Sequence, residues 1–486
     1  MIKDATYYAQ LIKTGQLSPS ELLTETLKRA HKMEALNAFV ELNPELAFAQ
    51  LNQKMLSSAN QPFYGVPFAL KDLGQAKKGF KQTVGSRLFR EVRANETNHY
   101  VQKIETAGFI PFGVTTSPEY GFKNITDATI YGPTRNAWNL DYFSGGSSGG
   151  AASVVASGIS PIAGASDGGG SIRIPASFSG LIGLKPSRGA ISNGPNSWRD
   201  WQGASVNFVL GVSMRDMATL LPLMAPDSQI SPFIMPRPRL PKENRPLKIA
   251  VCWESPIGNP VSEDAKMAVK NAVKFLEKAG HSVELIDYPI NGTQLIRSYY
   301  QMNGGETASM MADISQALNR PLTRQDMELM TWTIYQYGLK LSAADYVSSF
   351  QVWDDATAIM ETLFDDYDLF LSPTATTTAP LITTDLQSDK IRQAMLGAAE
   401  LTKLELAELV YNMFEKSLWL TPYTQLANLT GQPAISLPTH IADNGLPIGI
   451  QLMAAKGNDQ LLIDVGQAFE ADHQFKLPPF YKKINL

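Results

Sequence analysis

The chain holds a single cysteine, Cys252, among 486 residues, so no intrachain disulfide can form. That excludes the disulfide-stapled scaffolds and fits a reducing compartment. Cys252 ends the apolar run Leu247-Lys-Ile-Ala-Val-Cys252, which reads as a strand, and its thiol is expected to be buried packing. Histidine is scarce too. The five present (His31, His99, His281, His440, His473) are scattered and form no His-Glu-x-x-His spacing, so no metal site is expected. No apolar run reaches the roughly 18 residues of a membrane span. The opening Met1-Ile-Lys-Asp-Ala-Thr-Tyr-Tyr lacks the apolar core of a secretory signal, which makes a cytoplasmic location the expectation. A net charge of -4 offers no basic footprint for nucleic acid or an anionic membrane, and neither is expected as a partner.

What is there reads as a large α/β protein. The chain is 44% hydrophobic and 18% charged, ordinary for a globular core. Ser18-Pro19-Ser20-Glu21 is a helix start with a capping box, and Leu22, Leu23, Leu27 and Ala30 follow at helical spacing. Residues 1–60 therefore read as an N-terminal helical arm, and residues 61–486 as one α/β domain. From about Phe63, short apolar runs alternate with Gly- and Pro-rich turns: residues 66–70, 109–114 and 159–163 are expected strands. Prolines crowd residues 226–246, an internal connection. Beyond it, residues 247–253, 262–279 and 282–285 read as a β-α-β unit and residues 292–366 as helical. Asp443-Asn444-Gly445 marks a hairpin between strands at 434–438 and 446–454.

Two glycine-dense loops, each holding serine, flank a small-residue helix at 151–158. The first is Ser144-Gly-Gly-Ser147-Ser148-Gly-Gly150. The second is Asp167-Gly-Gly-Gly170-Ser171-Ile-Arg173-Ile-Pro175. Adjacent residues without Cβ let several backbone N–H groups converge on one point. Gly168, Gly169 and Gly170 could so cradle the oxyanion of a tetrahedral intermediate, with Ser171 at the edge as nucleophile. Serine needs a base, and lysine serves when an apolar site lowers its pKa. Lys71 closes the run Gly65-Val-Pro-Phe-Ala-Leu-Lys71-Asp72. In a strand, Asp72 points to the opposite face and leaves Lys71 without a direct counter-charge. A surface lysine at a strand end is the other reading of the same residues.

Taken together, Gly65-Val-Pro…Lys71-Asp72, Gly145-Gly-Ser147-Ser148-Gly-Gly150, Asp167-Gly-Gly-Gly170-Ser171 and Gly183-Leu-Lys-Pro186 resemble the amidase signature family. Asn37-Ala38-Phe39, Tyr131-Gly-Pro-Thr-Arg-Asn136, Leu371-Ser-Pro-Thr374 and residues 428–438 and 445–452 extend the resemblance over nearly the whole chain. The resemblance implies a large twisted mixed β-sheet covered by helices on both faces. It implies an amidohydrolase that cuts a non-peptide C–N bond without a cofactor. In such an enzyme Ser171 attacks the carbonyl, Ser147 relays its proton to neutral Lys71, and an acyl-enzyme forms on Ser171. The Gly146–Ser147 peptide is expected to be cis. Ser148, Asp167 and Arg173 are expected to support this site, and Tyr131 to line the pocket. Further pocket residues are sought in 299–346, including Asn303 and Glu306.

The wording around Ser171 looks closer to bacterial amidases of the 6-aminohexanoate cyclic-dimer hydrolase type than to the glutamine amidotransferase subunit. That subunit typically carries an Asp-Gln-Ile-Gly-Pro-like stretch where Ser205-Val-Asn-Phe-Val-Leu-Gly211 stands here. A small-molecule amide is the expected partner, and a monomer or homodimer the expected state. Two other readings compete. Gly145-Gly-Ser147-Ser148-Gly149 also fits the nucleophile elbow of α/β-hydrolases, which would need His440 or His473 as base. A catalytically silent homologue acting as a binding protein is the other, and it leaves the joint presence of Lys71, Ser147 and Ser171 without a purpose.

Overall fold

The structure, a computed structural model, describes residues 2–54, 61–226, 230–239 and 245–482. Its centre is a mixed sheet of eleven strands. These are β1 (Phe39–Leu42), β2 (Pro67–Lys71), β3 (Ile110–Thr115), β4 (Ile162–Asp167), β5 (Ile182–Lys185), β6 (Val206–Gly211), β7 (Lys248–Val251), β8 (Ser282–Leu285), β9 (Leu369–Pro373), β10 (Ala434–Ile441) and β11 (Pro447–Met453). They lie in the order β1-β3-β2-β4-β6-β5-β10-β11-β9-β7-β8. Every residue of β2, β3, β4, β5, β6, β9 and β11 is buried. Both faces of these strands are therefore covered, which is why they read as continuous apolar or small-residue runs rather than as alternating ones.

Strand direction places the site. β2 runs parallel to both β3 and β4. Lys71 ends β2 and Asp167 ends β4, so the two residues emerge at the same edge of the sheet. Open α/β sheets place ligands in the crevice outside such carboxyl ends. β5, β6, β10 and β11 are antiparallel to their neighbours and close the middle of the sheet.

The local signals hold where they rest on capping and turn chemistry. Ser18 Oγ accepts from Glu21 N (3.1 Å) and Glu21 accepts from Ser18 N (2.8 Å), the capping box of helix Pro19–Lys32. The hairpin turns at Gly445, whose φ of +78° suits glycine. β7, helix Glu263–Lys278 and β8 form the β-α-β unit, with β7 and β8 paired in parallel. Residues 292–366 hold helices Gly292–Leu318, Leu329–Lys340 and Ala343–Asp366.

The N-terminal segment is more than a helical arm. Helices Ala5–Lys13 and Pro19–Lys32 lead into β1, which extends the main sheet antiparallel to β3. Tyr8, Leu23 and Leu27 share one hydrophobic cluster with the central strands. Of the proline-rich connection at 226–246, residues 227–229 and 240–244 lie outside the described residues, and the rest is neither helix nor strand.

Candidate active site

Lys71 is buried to 1% exposure. Its Nζ lies 2.8 Å from Ser147 Oγ, 2.8 Å from Ser166 Oγ and 3.3 Å from the Ser166 carbonyl oxygen. Burial lowers the ammonium to a pKa of about 7, against an upward pull from the Asp167 and Asp72 carboxylates. Asp72 bonds elsewhere: it accepts from Thr83 N (2.7 Å), Thr83 Oγ1 (2.5 Å) and Gly85 N (3.0 Å). Among the described residues the lysine thus has no carboxylate in contact, and its pKa follows its desolvation.

Ser147 sits after a cis Gly146–Ser147 peptide, just before helix Gly149–Ala156. Close packing explains the glycines ahead of it. Gly145 has φ +93°, and a Cβ there would stand 2.7 Å from Pro175 Cα. A Cβ on Gly146 would stand 2.6 Å from the Ile125 backbone nitrogen. Ser148 Oγ donates to the Ser166 carbonyl (3.2 Å), tying this loop to the end of β4.

Asp167 and Arg173 brace the second loop from inside the protein. Arg173 is fully buried and meets Asp167 through Nε and Nη2, both at 2.9 Å. Its remaining donors reach Gln451 Oε1 (2.6 Å) and Asn428 Oδ1 (2.7 Å). Asp167 also accepts from the backbone N–H groups of Gly170 (2.7 Å) and Ile172 (3.2 Å). Burial alone would raise this carboxyl. The Arg173 charge and the bonds from Arg173 and Asn428 outweigh it and hold the pKa at about 2. Such a pair persists inside a protein only when it is well hydrogen-bonded, and here every guanidinium nitrogen and both carboxylate oxygens have partners.

The Gly170 N–H is therefore engaged by Asp167. Among the described residues, the N–H groups of Gly168, Gly169 and Ser171 have no protein acceptor. Gly168, Gly169 and Ser171 line a cavity of about 540 Å³ together with Ser147 and Ser166. Lys71 does not line it and lies behind the two hydroxyls it touches. Ser147 and Ser166 thus stand between the cavity and this amine.

The other walls come from far along the chain. Tyr120, Phe122, Trp201 and Tyr299 supply aromatic surface. Glu306, Thr307, Met310 and Asp313 come from helix Gly292–Leu318. Glu306 thus lies where the sequence reading sought pocket residues, whereas Asn303 is buried outside the lining. Tyr131 is outside it too: its hydroxyl donates to Thr83 Oγ1 (2.9 Å), placing the ring against the loop that holds Asp72. Sequence reasoning missed Ser166, which lies in β4 beyond the strand expected at 159–163. It also missed the wall from 192–201, whose Ser/Asn/Gly wording is that of any surface loop.

No histidine lines the cavity. His440 faces Asp264 (3.3 Å), His99 bonds the Asn193 carbonyl (2.8 Å), His281 accepts from Leu247 N (3.2 Å), and His31 and His473 are exposed. The nucleophile-elbow reading therefore lacks its base. Among the described residues, no group of three His, Cys, Asp or Glu side chains is placed to hold a metal ion. Cys252 is buried, and burial lifts its thiol to about 11.

The sheet thus brings serine hydroxyls and backbone N–H groups to one cavity, with a desolvated amine behind the hydroxyls, an arrangement suited to acyl transfer. Comparison with known proteins narrows it. A family model described as amidase matches residues 21–463. The chain is 37% identical over 474 residues to a lipoamidase of Enterococcus faecalis, covering 97% of this chain but 63% of that protein's length. It is 32% identical over 483 residues to a 6-aminohexanoate-cyclic-dimer hydrolase of Paenarthrobacter ureafaciens, covering 96% and 94% of the two chains. A solved structure of 6-aminohexanoate cyclic dimer hydrolase matches with a TM-score of 0.86 at 30% identity, over 98% of this chain and 99% of that one. The chain belongs to the amidase family, hydrolases of carbon–nitrogen bonds other than peptide bonds.

Proposed function

We propose that the chain hydrolyses a small-molecule amide, with Ser171 as nucleophile, Ser147 as proton relay and Lys71 as base. The observation that carries this reading is the 2.8 Å contact between a buried Lys71 Nζ and Ser147 Oγ, with Ser147 and Ser171 on the wall of the same cavity. A neutral amine has one lone pair and two N–H groups. Lys71 Nζ donates to Ser147 Oγ, Ser166 Oγ and the Ser166 carbonyl, and in the neutral amine the contact with Ser147 reverses so that the lone pair accepts the Ser147 proton.

The steps follow. Ser171 Oγ attacks the carbonyl carbon; its proton passes to Ser147 Oγ as the Ser147 proton passes to Lys71 Nζ. The N–H groups of Gly168, Gly169 and Ser171 hold the oxyanion, while Asp167 keeps Gly170 and the loop in place. This revises the expected donor set, in which Gly170 took a direct part. When the C–N bond breaks, the Lys71 proton returns through Ser147 to the leaving amine. Water then attacks the acyl carbon as its proton passes through Ser147 to Lys71; the bond from that carbon to Ser171 Oγ breaks, the Lys71 proton returns through Ser147 to Ser171 Oγ, and the carboxylic acid leaves.

The similarity to a lipoamidase and to a cyclic-dimer hydrolase puts lipoyl amides and 6-aminohexanoate cyclic dimer first in a substrate panel. Amine release from that panel by wild type, Ser171→Ala, Ser147→Ala and Lys71→Ala tests the roles. Each substitution is expected to lower kcat by about 100-fold or more. Wild-type turnover in Ser171→Ala would remove the proposed nucleophile.

A further inference from the structure

A second feature of the cavity serves no step above. Trp201 and Gln202 both lie in the left-handed region, with φ of +47° and +52°, within the turn Asp200–Gly203. Two consecutive non-glycine residues there, one an indole, form an unfavourable backbone that surrounding contacts must hold. Those contacts are present. Gln202 Nε2 donates to Glu306 Oε1 (2.9 Å), and the Tyr346 hydroxyl donates to the same oxygen. Gly305 leaves room for this arrangement, because a Cβ there would stand 2.4 Å from Tyr346 Cδ2.

The turn lays an aromatic wall against the glycine loop. Trp201 stacks on Phe122 with ring centroids 5.9 Å apart and planes at 16°, and meets Tyr299 edge-on at 5.9 Å. A Cβ on Gly168 would stand 3.2 Å from Trp201 Cε3, and one on Gly169 would stand 2.6 Å from the Tyr299 hydroxyl. The indole therefore packs against Gly168 and the Tyr299 hydroxyl against Gly169, two of the residues whose N–H groups are assigned to the oxyanion. Whatever flanks the scissile carbonyl on that side meets a ring that packs against Gly168 and that the Phe122 stack keeps from tilting away.

We infer that Trp201 determines the substrate class, admitting amides unbranched beside the scissile bond, and that Glu306 positions it through Gln202. The inference rests on the proposed amidase site. Its test uses anilides of hexanoic, 2-ethylhexanoic and cyclohexanecarboxylic acid, together with N-alkyl hexanamides that are straight or branched at the first carbon. kcat/KM is measured for each. Wild type is expected to favour the unbranched member of each series. Trp201→Ala is expected to erode that preference by about tenfold on one side of the bond, the usual worth of a small change in pocket size. Glu306→Ala is expected to shift the ratio the same way, and Glu306→Gln, which keeps an oxygen for Gln202 and Tyr346, to recover most of it. Trp201→Phe gives a milder variant if the alanine variant does not fold, and fluorophosphonate labelling of Ser171 reports an assembled site in each. Unchanged ratios in labelled, active Trp201 variants overturn the inference and leave the amidase reading intact. Loss of labelling at Ser171 in wild type overturns that reading instead.

Discussion

At the residue scale the account turns on one amine. A lysine at its ordinary pKa is protonated at neutral pH and cannot take a proton, whereas burial brings Lys71 to about 7. In the proposed mechanism the neutral form is the active one, so kcat/KM is expected to rise as pH climbs through about 7 and then level. Lys71→Met should lose that limb along with most of the rate, which a pH–rate profile of both proteins would show. This base was half legible in the sequence. The strand pattern separated Lys71 from Asp72 correctly, and the structure gives Asp72 to Thr83 and Gly85. The burial of Lys71 was not legible, because a strand-end lysine has the same local sequence whether covered or exposed. Ser166 was hidden for a related reason: small polar residues in β4 read as loop, since strand propensity mostly reflects packing that a local window does not contain.

The element that matters most is the turn from β4 into helix Arg173–Ser179, held by one buried ion pair. Removing one partner of such a pair leaves a charge uncompensated in the interior. Arg173→Leu is therefore expected to lower the unfolding free energy by about 3–5 kcal/mol, read from urea melts. The pH dependence has a definite sign. Asp167 is held at about 2, below its ordinary 3.8, so its stabilisation is complete above that ordinary value and is lost as pH falls toward 2. An acid titration of the wild type should show this loss, and Asp167→Asn should flatten it. The glycine loops on either side were legible because their cause is local: several residues in a row without Cβ signal close backbone approach. The start of β4 was not. Strand was expected at 159–163 and begins at Ile162, because Ser160 Oγ turns to the Pro67 and Ile162 carbonyls.

At the scale of the molecule, the N-terminal segment and the aromatic wall show what a single sequence hides. β1 joins the sheet edge, and the first helix, Ala5–Lys13, is tied down by Asp216, which accepts from Ala5 N (2.8 Å), Thr6 N (2.9 Å) and Thr6 Oγ1 (2.6 Å). Asp216→Ala removes all three bonds and is expected to cost about 1–3 kcal/mol, seen as a lower Tm with Ser171 still labelled by a fluorophosphonate. Neither tie is visible locally, since the β1 residues pair with β3 residues such as Phe39 with Thr115, and Asp216 lies 211 positions from Ala5. The cavity has the same character: Phe122, Trp201 and Tyr299 meet only in the folded chain. The family pattern located the loops at its floor, but pocket walls drawn from irregular segments carry no pattern of their own. Tyr131 was sought there and Trp201 was found.

The most direct measurement is the pH dependence of fluorophosphonate acylation at Ser171, mapped by mass spectrometry in wild type and Lys71→Met. The wild-type rate should rise through about pH 7 at Ser171 alone, and the variant should react slowly with no such rise. An identical rise in the variant, or a phosphonate carried by Ser147 in place of Ser171, would contradict the proton route from Ser171 through Ser147 to Lys71.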